Sequence, residues 1–406
     1  METVRFLVLG GGPSGLAVAH RLLEIGVPPK EVLVLERETV AGGLCRSEEV
    51  DGAPLDIGGG HFLDVRNKEA LRFLFRFLPE EEWEARDRIS KICLRGREID
   101  YPLEANLWQL SKDDQVDYLE SIARAGCVSG LPMPEAFGEW ITWKLGERIA
   151  RDYMLPYNRK IWSIDLSSLG TYWLYKLPDV SFRDTLRSCL EGRPQGTLPA
   201  HARFLYPRRY GYGEVWKRMG EALGNRLLTN CPVESIDLDN RTVNRRFRAE
   251  IILSTIPWTI WPNLCRMPDD MVQMVSRLKS AAIDVDYHPN APSSRAHWIY
   301  EPDESVAHHR LLLRSNFAQG SRGYWTETNS VRSQPSTTGW RYRNEFAYPV
   351  NTRDKPEVLN HVLRWAAGYG IIGLGRWGKW EHMNSDLAVA ESLQLAQHLV
   401  TKVTVP

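Results

Sequence analysis

The chain has 406 residues, 43% of them apolar and 25% charged. That is the composition of an ordinary globular protein, which excludes a disordered chain, a collagen-like one and a membrane bundle. Lysine plus arginine (51) balance aspartate plus glutamate (51), so a nucleic-acid partner is disfavoured while a local basic pocket stays open.

The length calls for two or three structural units instead of one core. The chain starts with a strand: Phe6 to Leu9 is a short apolar run suited to a buried parallel position. Gly10-Gly11-Gly12-Pro13-Ser14-Gly15 follows it. Leu16, Ala19, Leu22 and Leu23 then recur at helical spacing, and Gly26 closes that helix. Val32 to Leu35 is a second buried strand with Glu36 at its end. The stretch from about Lys68 to Leu190 reads as mostly helical. Ser111-Lys112-Asp113-Asp114 looks like a capping box, and Phe137, Ile141, Leu145 and Ile149 mark one face of a later helix. From about Asp284 to Val350 the pattern changes. His297–Tyr300, Arg310–Phe317, Tyr324–Thr328 and Glu345–Val350 read as antiparallel strands. The last fifty residues return to helix, glycine turn and helix, the final one from about Leu387.

Strand, glycine turn, helix, strand and acid together make a dinucleotide site. Gly10 permits the tight turn, Gly12 lets the backbone approach a pyrophosphate, and Gly15 lets helix and strand pack closely. Pro13 and Ser14 open the helix, whose N-terminus offers N–H groups to phosphate. Glu36, followed by Arg37, can accept bonds from a ribose diol and would repel a 2′-phosphate, which disfavours NADP. A second cluster, Gly42-Gly43-Leu44-Cys45-Arg46, resembles the extended FAD fingerprint of glutathione-reductase-like flavoproteins. Gly43, Leu44 and Arg46 would continue along the pyrophosphate. A third glycine run, Gly373-Leu374-Gly375-Arg376-Trp377-Gly378, precedes Asn384 and Asp386 and suits a phosphate or the flavin edge.

The six cysteines (Cys45, Cys93, Cys127, Cys189, Cys231, Cys265) show no CxxC spacing and read as buried thiols of a reducing compartment. Val4 to Leu9 lacks a basic flank and a long apolar run. It reads as neither signal peptide nor membrane span, so the expected location is the cytoplasm, with no membrane partner.

Further motifs resemble the UDP-galactopyranose mutases, within the wider amine oxidase and protoporphyrinogen oxidase-like flavoproteins. Asp56-Ile57-Gly58-Gly59-Gly60-His61-Phe62 is similar to that family's loop beside the isoalloxazine ring, with Gly59, Gly60 and His61 as contacts. Arg88 and Tyr101-Pro102 match an arginine and a tyrosine-proline pair near flavin and sugar. Asn158 and Trp162 look like its substrate-pocket residues. Tyr206-Pro207-Arg208-Arg209 resembles a further segment, and Val233 an FAD-contacting valine. Tyr300, Arg310 and Tyr348 match its diphosphate-binding set.

The sequence departs from that pattern in three places. Lys176 or Arg183 stands in for a second arginine, His382 replaces a substrate tyrosine, and Glu104 replaces a glutamine. Strand alternation also places Arg310, Leu312, Arg314 and Asn316 on one face, either as a forked diphosphate site or as solvated edge arginines. Trp162 fits ring stacking on the ligand and core packing about equally.

The resemblance implies an α/β fold with a discontinuous Rossmann-like FAD-binding domain (1–65, 195–275 and 355–406). A mostly helical domain (66–194) and an antiparallel sheet substrate domain (276–354) would be inserted in it. It implies an isomerase that interconverts pyranose and furanose forms of a nucleotide sugar, with N5 of reduced FAD as nucleophile. His61 would tune the ring, Arg310 would stabilise the departing diphosphate, and no metal is implied. NAD(P)H suits the role of external reductant, and a homo-oligomer is compatible. The rival is an FAD oxidase or dehydrogenase of the amine oxidase or protoporphyrinogen oxidase type, which shares the glycine motifs. A non-catalytic flavin-binding protein is a third class.

Overall fold

A computed structural model describes residues 1–196, 202–336 and 339–401. Its first sheet is built on Glu2–Leu9, which pairs in parallel with Val32–Leu35 on one side and Phe247–Ser254 on the other. Leu227–Leu228 extends the sheet beyond Val32–Leu35, and Ile371–Gly373 lies parallel to Phe247–Ser254. Thr242–Val243 and Ile236–Asp237 add an antiparallel edge. The central strands are apolar on both faces because both are covered. Phe6 and Val8 pack under helices Pro13–Glu24 and Ser385–Thr401, with Leu16, Leu22, Val389 and Leu393. Leu7 and Leu9 face the other layer, where Val358, Val362 and Val275 come from helices Lys355–Gly368 and Asp269–Arg277.

The second sheet runs Arg341–Pro349, Ser280–His288, Tyr324–Asn329, Arg310–Leu312, Trp298–Tyr300, Ser90–Leu94, Arg97–Asp100. It is antiparallel except where Trp298–Tyr300 pairs in parallel with Ser90–Leu94. Its register puts Tyr300 opposite Arg310 and Arg310 opposite Glu327, so three polar side chains form one row across three strands.

The stretch 66–194 carries three strands among its helices, Trp83–Asp87, Ser90–Leu94 and Arg97–Asp100, of which Ile92, Leu94 and Ile99 bury one alternating face. Two expectations need correction. The strand expected over Arg310–Phe317 stops at Leu312 and passes into a 3-10 turn over Arg314–Asn316. The Phe137–Ile149 helix is broken at Gly146, where φ is +75° and a Cβ would press on the Ser121 carbonyl. The other α-helices of this region are Lys68–Leu74, Lys112–Ala123, Leu155–Trp162 and Phe182–Glu191. Ser111 does cap its helix, accepting the Asp114 N–H at 3.2 Å. Asp114 bonds back to the Ser111 hydroxyl and not to its backbone. All six cysteines are free thiols. Among the described residues, no helix is long and apolar enough to cross a membrane.

Candidate functional site

The glycine turn sits where the first strand ends. Gly10 has φ +103°, and its N–H donates to the Leu35 carbonyl at 2.8 Å. A Cβ on Gly15 would land on the Gly10 carbonyl oxygen, so helix Pro13–Glu24 can sit this close to the turn only with glycine there. The second cluster folds back onto the first. Gly42 N–H donates to the Gly11 carbonyl at 2.8 Å, and a Cβ on Gly43 would come 3.3 Å from Gly12 Cα. Two backbone segments therefore meet edge to edge at a helix N-terminus that, among the described residues, no side chain caps.

A cleft of about 650 Å³ opens there. Gly10, Gly12, Pro13, Ser14, Glu36, Arg37, Gly43, Leu44, Arg46, His61, Val233 and Arg376 all line it. Glu36 is buried, with its oxygens taking the Gly11 and Glu38 N–H groups at 2.7 and 2.9 Å. A carboxylate has about four acceptor sites, so capacity for a diol remains. Arg46 is anchored by the Gly43 carbonyl, Glu38 and the Tyr342 hydroxyl. Arg37 is exposed and pairs with Glu38.

Other named residues stand behind this wall. Gly15 packs on the turn. Gly375, at φ +69°, backs onto Ser14, where a Cβ would strike the hydroxyl. Asn384 precedes the last helix, its carbonyl accepting the Ala388 N–H. Asp386 is the clearest correction. Ser385 and Ala388 of that helix reach the cleft, while Asp386 is buried near Asp64 and Arg66, where burial pushes its carboxyl up to about 6.

Thr255, Ile256, Tyr342 and Asn344 line the cleft but carry no motif. The first two follow the carboxyl end of Phe247–Ser254, where open α/β sheets place their ligands, and that rule could have found them. Tyr342 and Asn344 come from the edge strand of the second sheet, and no local signal marks them.

The loop from Asp56 to His61 meets the cleft at His61. Asp56 is fully buried and holds three elements: Ser47 Oγ at 2.5 Å, Tyr206 OH at 2.9 Å and Tyr212 N–H at 3.0 Å. Burial pushes its carboxyl up to about 7. Gly59 (φ +88°) and Gly60 face Glu327 and Leu312 and do not line the cleft. Gly60 N–H donates to Glu327 Oε1 at 2.8 Å. The His61 ring lies 6.3 Å from that of Tyr212, and burial pushes it down to about 4, so it is neutral at pH 7.

A cluster of arginine and aromatic side chains borders this loop. Arg310 sends Nε and Nη2 to one oxygen of Glu327, at 3.0 and 2.6 Å, and Nη2 reaches the Tyr348 hydroxyl at 3.5 Å. The arginine holds the buried Glu327 carboxyl at about 2. Glu327 was not singled out in the sequence. The guanidinium of Arg88 lies between the rings of Tyr101 (4.6 Å) and Trp298 (4.8 Å) and donates to Ser90 Oγ and the Tyr300 hydroxyl. Tyr300 packs on Tyr101, and Tyr348 packs on His382 and Trp162. Arg376 joins this cluster to the cleft: it donates to the Ala347 and Met383 carbonyls, with its guanidinium 5.9 Å from the Tyr348 ring.

Asn158 and Trp162 are bound to one another. The Trp162 indole N–H donates to Asn158 Oδ1 at 3.0 Å, and Asn158 Nδ2 donates to the Met154 carbonyl. Both are buried, so Trp162 belongs to the core of the helical region. Arg314 does not share a face with Arg310. It is fully buried and donates to the carbonyls of Val50, Ala53, Pro54 and Arg322. Glu104 is buried in a 3-10 turn, and burial raises its carboxyl. The Lys176 side chain lies outside what the structure describes.

Residues 8–78 match the family described as NAD(P)-binding Rossmann-like domain. The chain is 21% identical to a UDP-galactopyranose mutase of Mycoplasma pneumoniae, over 97% of this chain and 96% of that one. It superposes on a crystal structure of reduced UDP-galactopyranose mutase with a TM-score of 0.89, at 22% identity, covering 99% of this chain and 94% of the other. Cyclohexylamine oxidase from Brevibacterium oxydans is more distant, with a TM-score of 0.66 and 16% identity over 98% and 99% of the two chains. The fold is thus mixed α/β with a Rossmann-like domain, and it is the fold of UDP-galactopyranose mutase. The resemblance seen in the motifs extends along nearly the whole chain.

Proposed function

We propose that the protein is an FAD-dependent mutase acting on a nucleotide sugar of the UDP-galactose type. The observation that carries this reading is the row Tyr300–Arg310–Glu327, flanked by Arg88 and Tyr348, which does not line the cleft itself but is tied to its wall by the Glu327–Gly60 bond and by Arg376 beside Tyr348. An amine-oxidase-type reading shares the cleft, but the arginines favour an anionic ligand.

The residues present fit FAD. The paired glycine turns let a pyrophosphate reach backbone N–H groups at the start of helix Pro13–Glu24, and Glu36 stands where a ribose diol would lie. When bound and reduced, FAD supplies the nucleophile at the anomeric carbon, so no side chain has to.

The chain's own groups do the rest. Arg310 and Arg88 offer donors to the negative charge that grows on a departing diphosphate. Four rings (Tyr101, Tyr157, Tyr300 and Tyr348) pack around those arginines and limit water. His61, neutral at pH 7, donates Nδ1–H to the Gly59 carbonyl at 3.2 Å, so its Nε2 can accept one hydrogen bond but is a poor proton donor. Asn158 and Trp162 shape the wall from behind. NAD(P)H is the proposed reductant and the cytoplasm the proposed location.

The test is direct. Purified protein should carry FAD and, once reduced, convert UDP-galactopyranose to a furanose isomer separable by chromatography. Reduction of the oxidised flavin by an amine, with peroxide release and no isomer, would put the oxidase reading in its place.

A further inference from the structure

Behind Arg310 lies a layer of titratable groups that the proposed chemistry does not use. Glu327, 1% exposed, spends Oε2 on Arg310 and Oε1 on the Gly60 N–H. His309 stands next to them. Its backbone N–H donates to the Glu327 carbonyl at 2.9 Å, and its ring is fully buried. Neither ring nitrogen has a hydrogen-bond partner, and Nε2 stops 3.6 Å from Glu327 Oε2. That is too long for a hydrogen bond. Leaving a buried polar group unmatched is costly and calls for a reason.

The surroundings of the ring supply one. Arg310 faces it from the adjoining strand, Lys160 and Tyr157 from helix Leu155–Trp162, and His308 from its own segment. Lys160 is fully buried and gives its donors to the Glu301 and Asp303 carbonyls. A proton on His309 would be drawn by Glu327 but would also face two cations. Burial lowers the ring's affinity for a proton, Glu327 opposes that, and Arg310 and Lys160 add to it.

An anionic ligand changes this balance. The Arg310 side chain keeps 18% of its surface exposed; its Nε and Nη2 both go to one Glu327 oxygen, and Nη2 also reaches the Tyr348 hydroxyl at 3.5 Å. A diphosphate competing for that fork would leave Glu327 with the Gly60 N–H alone. The nearest group able to restore neutrality is the unpartnered His309 ring, less than about 1 Å beyond bonding distance.

We infer that His309 and Glu327 form a charge-compensating pair that takes up one proton when an anionic diphosphate engages Arg310. The inference rests on the nucleotide-sugar reading above. The proton comes from the buffer, lands on Nε2, is donated towards Glu327 Oε2, and leaves with the ligand. His309 is thus a positioning residue, because it acts through Glu327 and Arg310. Binding should strengthen as pH falls, by up to about tenfold per pH unit where uptake is complete.

Calorimetric titration of the FAD-loaded protein with UDP-galactose, whose diphosphate has no group titrating near neutrality, reads this. The titration is run at pH 7.5 in two buffers of different ionisation enthalpy. Uptake approaching one proton per ligand, absent in His309→Asn and in Glu327→Gln, is the expected result. NMR of ¹⁵N-histidine-labelled wild-type protein reads the same event without a variant, as a neutral ring becoming imidazolium on ligand binding. Binding with no uptake, a ring that stays neutral, or uptake that persists in His309→Asn would overturn the pair and leave the nucleotide-sugar reading standing. No binding at all would overturn that reading, and the pair with it.

Discussion

Replacing Arg310 by alanine tests structure and function together. The guanidinium makes two bonds to Glu327, at 3.0 and 2.6 Å, and its loss leaves that carboxylate with the Gly60 N–H alone. Two routes give the size of the effect. Removing one partner of a buried pair costs about 3–5 kcal/mol. A carboxyl held at about 2 instead of its ordinary 4.5 is worth roughly 3 kcal/mol above pH 4.5. Either figure is a large part of a typical folding free energy of about 5–15 kcal/mol. The sign with pH follows from the lowered value. The contribution is complete above 4.5 and fades as pH falls towards 2, so the gap between wild type and Arg310→Ala narrows in acid. The double variant Arg310→Met, Glu327→Gln removes both charges and keeps an acceptor for Gly60, so it should recover most of the stability. Neither variant should recover the ligand. Losing charge-assisted bonds worth about 1.5–3 kcal/mol weakens UDP-galactose binding by roughly 10–150-fold. The assays are urea unfolding in saturating FAD and calorimetric titration. Unchanged unfolding of Arg310→Ala would refute the buried pair, and unchanged affinity would refute the clamp.

Other substitutions probe the frame around this pair. Gly15→Ala puts a methyl on the Gly10 carbonyl and should yield folded protein with little bound FAD, read as flavin absorbance per chain; full occupancy would contradict the turn's proposed role. His61 is neutral in the fold down to about pH 4, so relative to His61→Asn the wild type should lose stability as pH drops from 6.5 towards 4. A pH-independent difference would mean the ring is not held neutral. Arg314→Lys should destabilise nearly as much as Arg314→Ala, because a single ammonium cannot meet four carbonyls spread around a planar fork. Unfolding midpoints of the two variants decide it.

The parts legible in the sequence were the local ones. Gly10, Gly12 and Gly15 act within a few residues of each other, and their strand and helix are contiguous, so spacing alone was enough. Gly43 could be placed beside them because it follows the second strand closely. Glu327 could not. Its role depends on a ladder register with Arg310 and on a bond to Gly60, 267 positions away. Arg314 was misplaced because alternation was extended past Leu312, where the strand ends. Asn158 and Trp162 are four apart on a helix, close enough to satisfy one another, and a ligand is not needed to explain either. Tyr342 and Asn344 reach the cleft only because the second sheet's edge strand crosses it, which no local pattern shows.

Flavin-dependent isomerisation is tested most directly by comparing one preparation in two redox states. FAD-loaded protein is incubated with UDP-galactopyranose anaerobically, once oxidised and once reduced with dithionite, and the nucleotide sugars are separated by chromatography. A furanose isomer is expected from the reduced sample only, with no net change in flavin oxidation state over many turnovers. No isomer from the reduced protein, or equal conversion in both states, would contradict it.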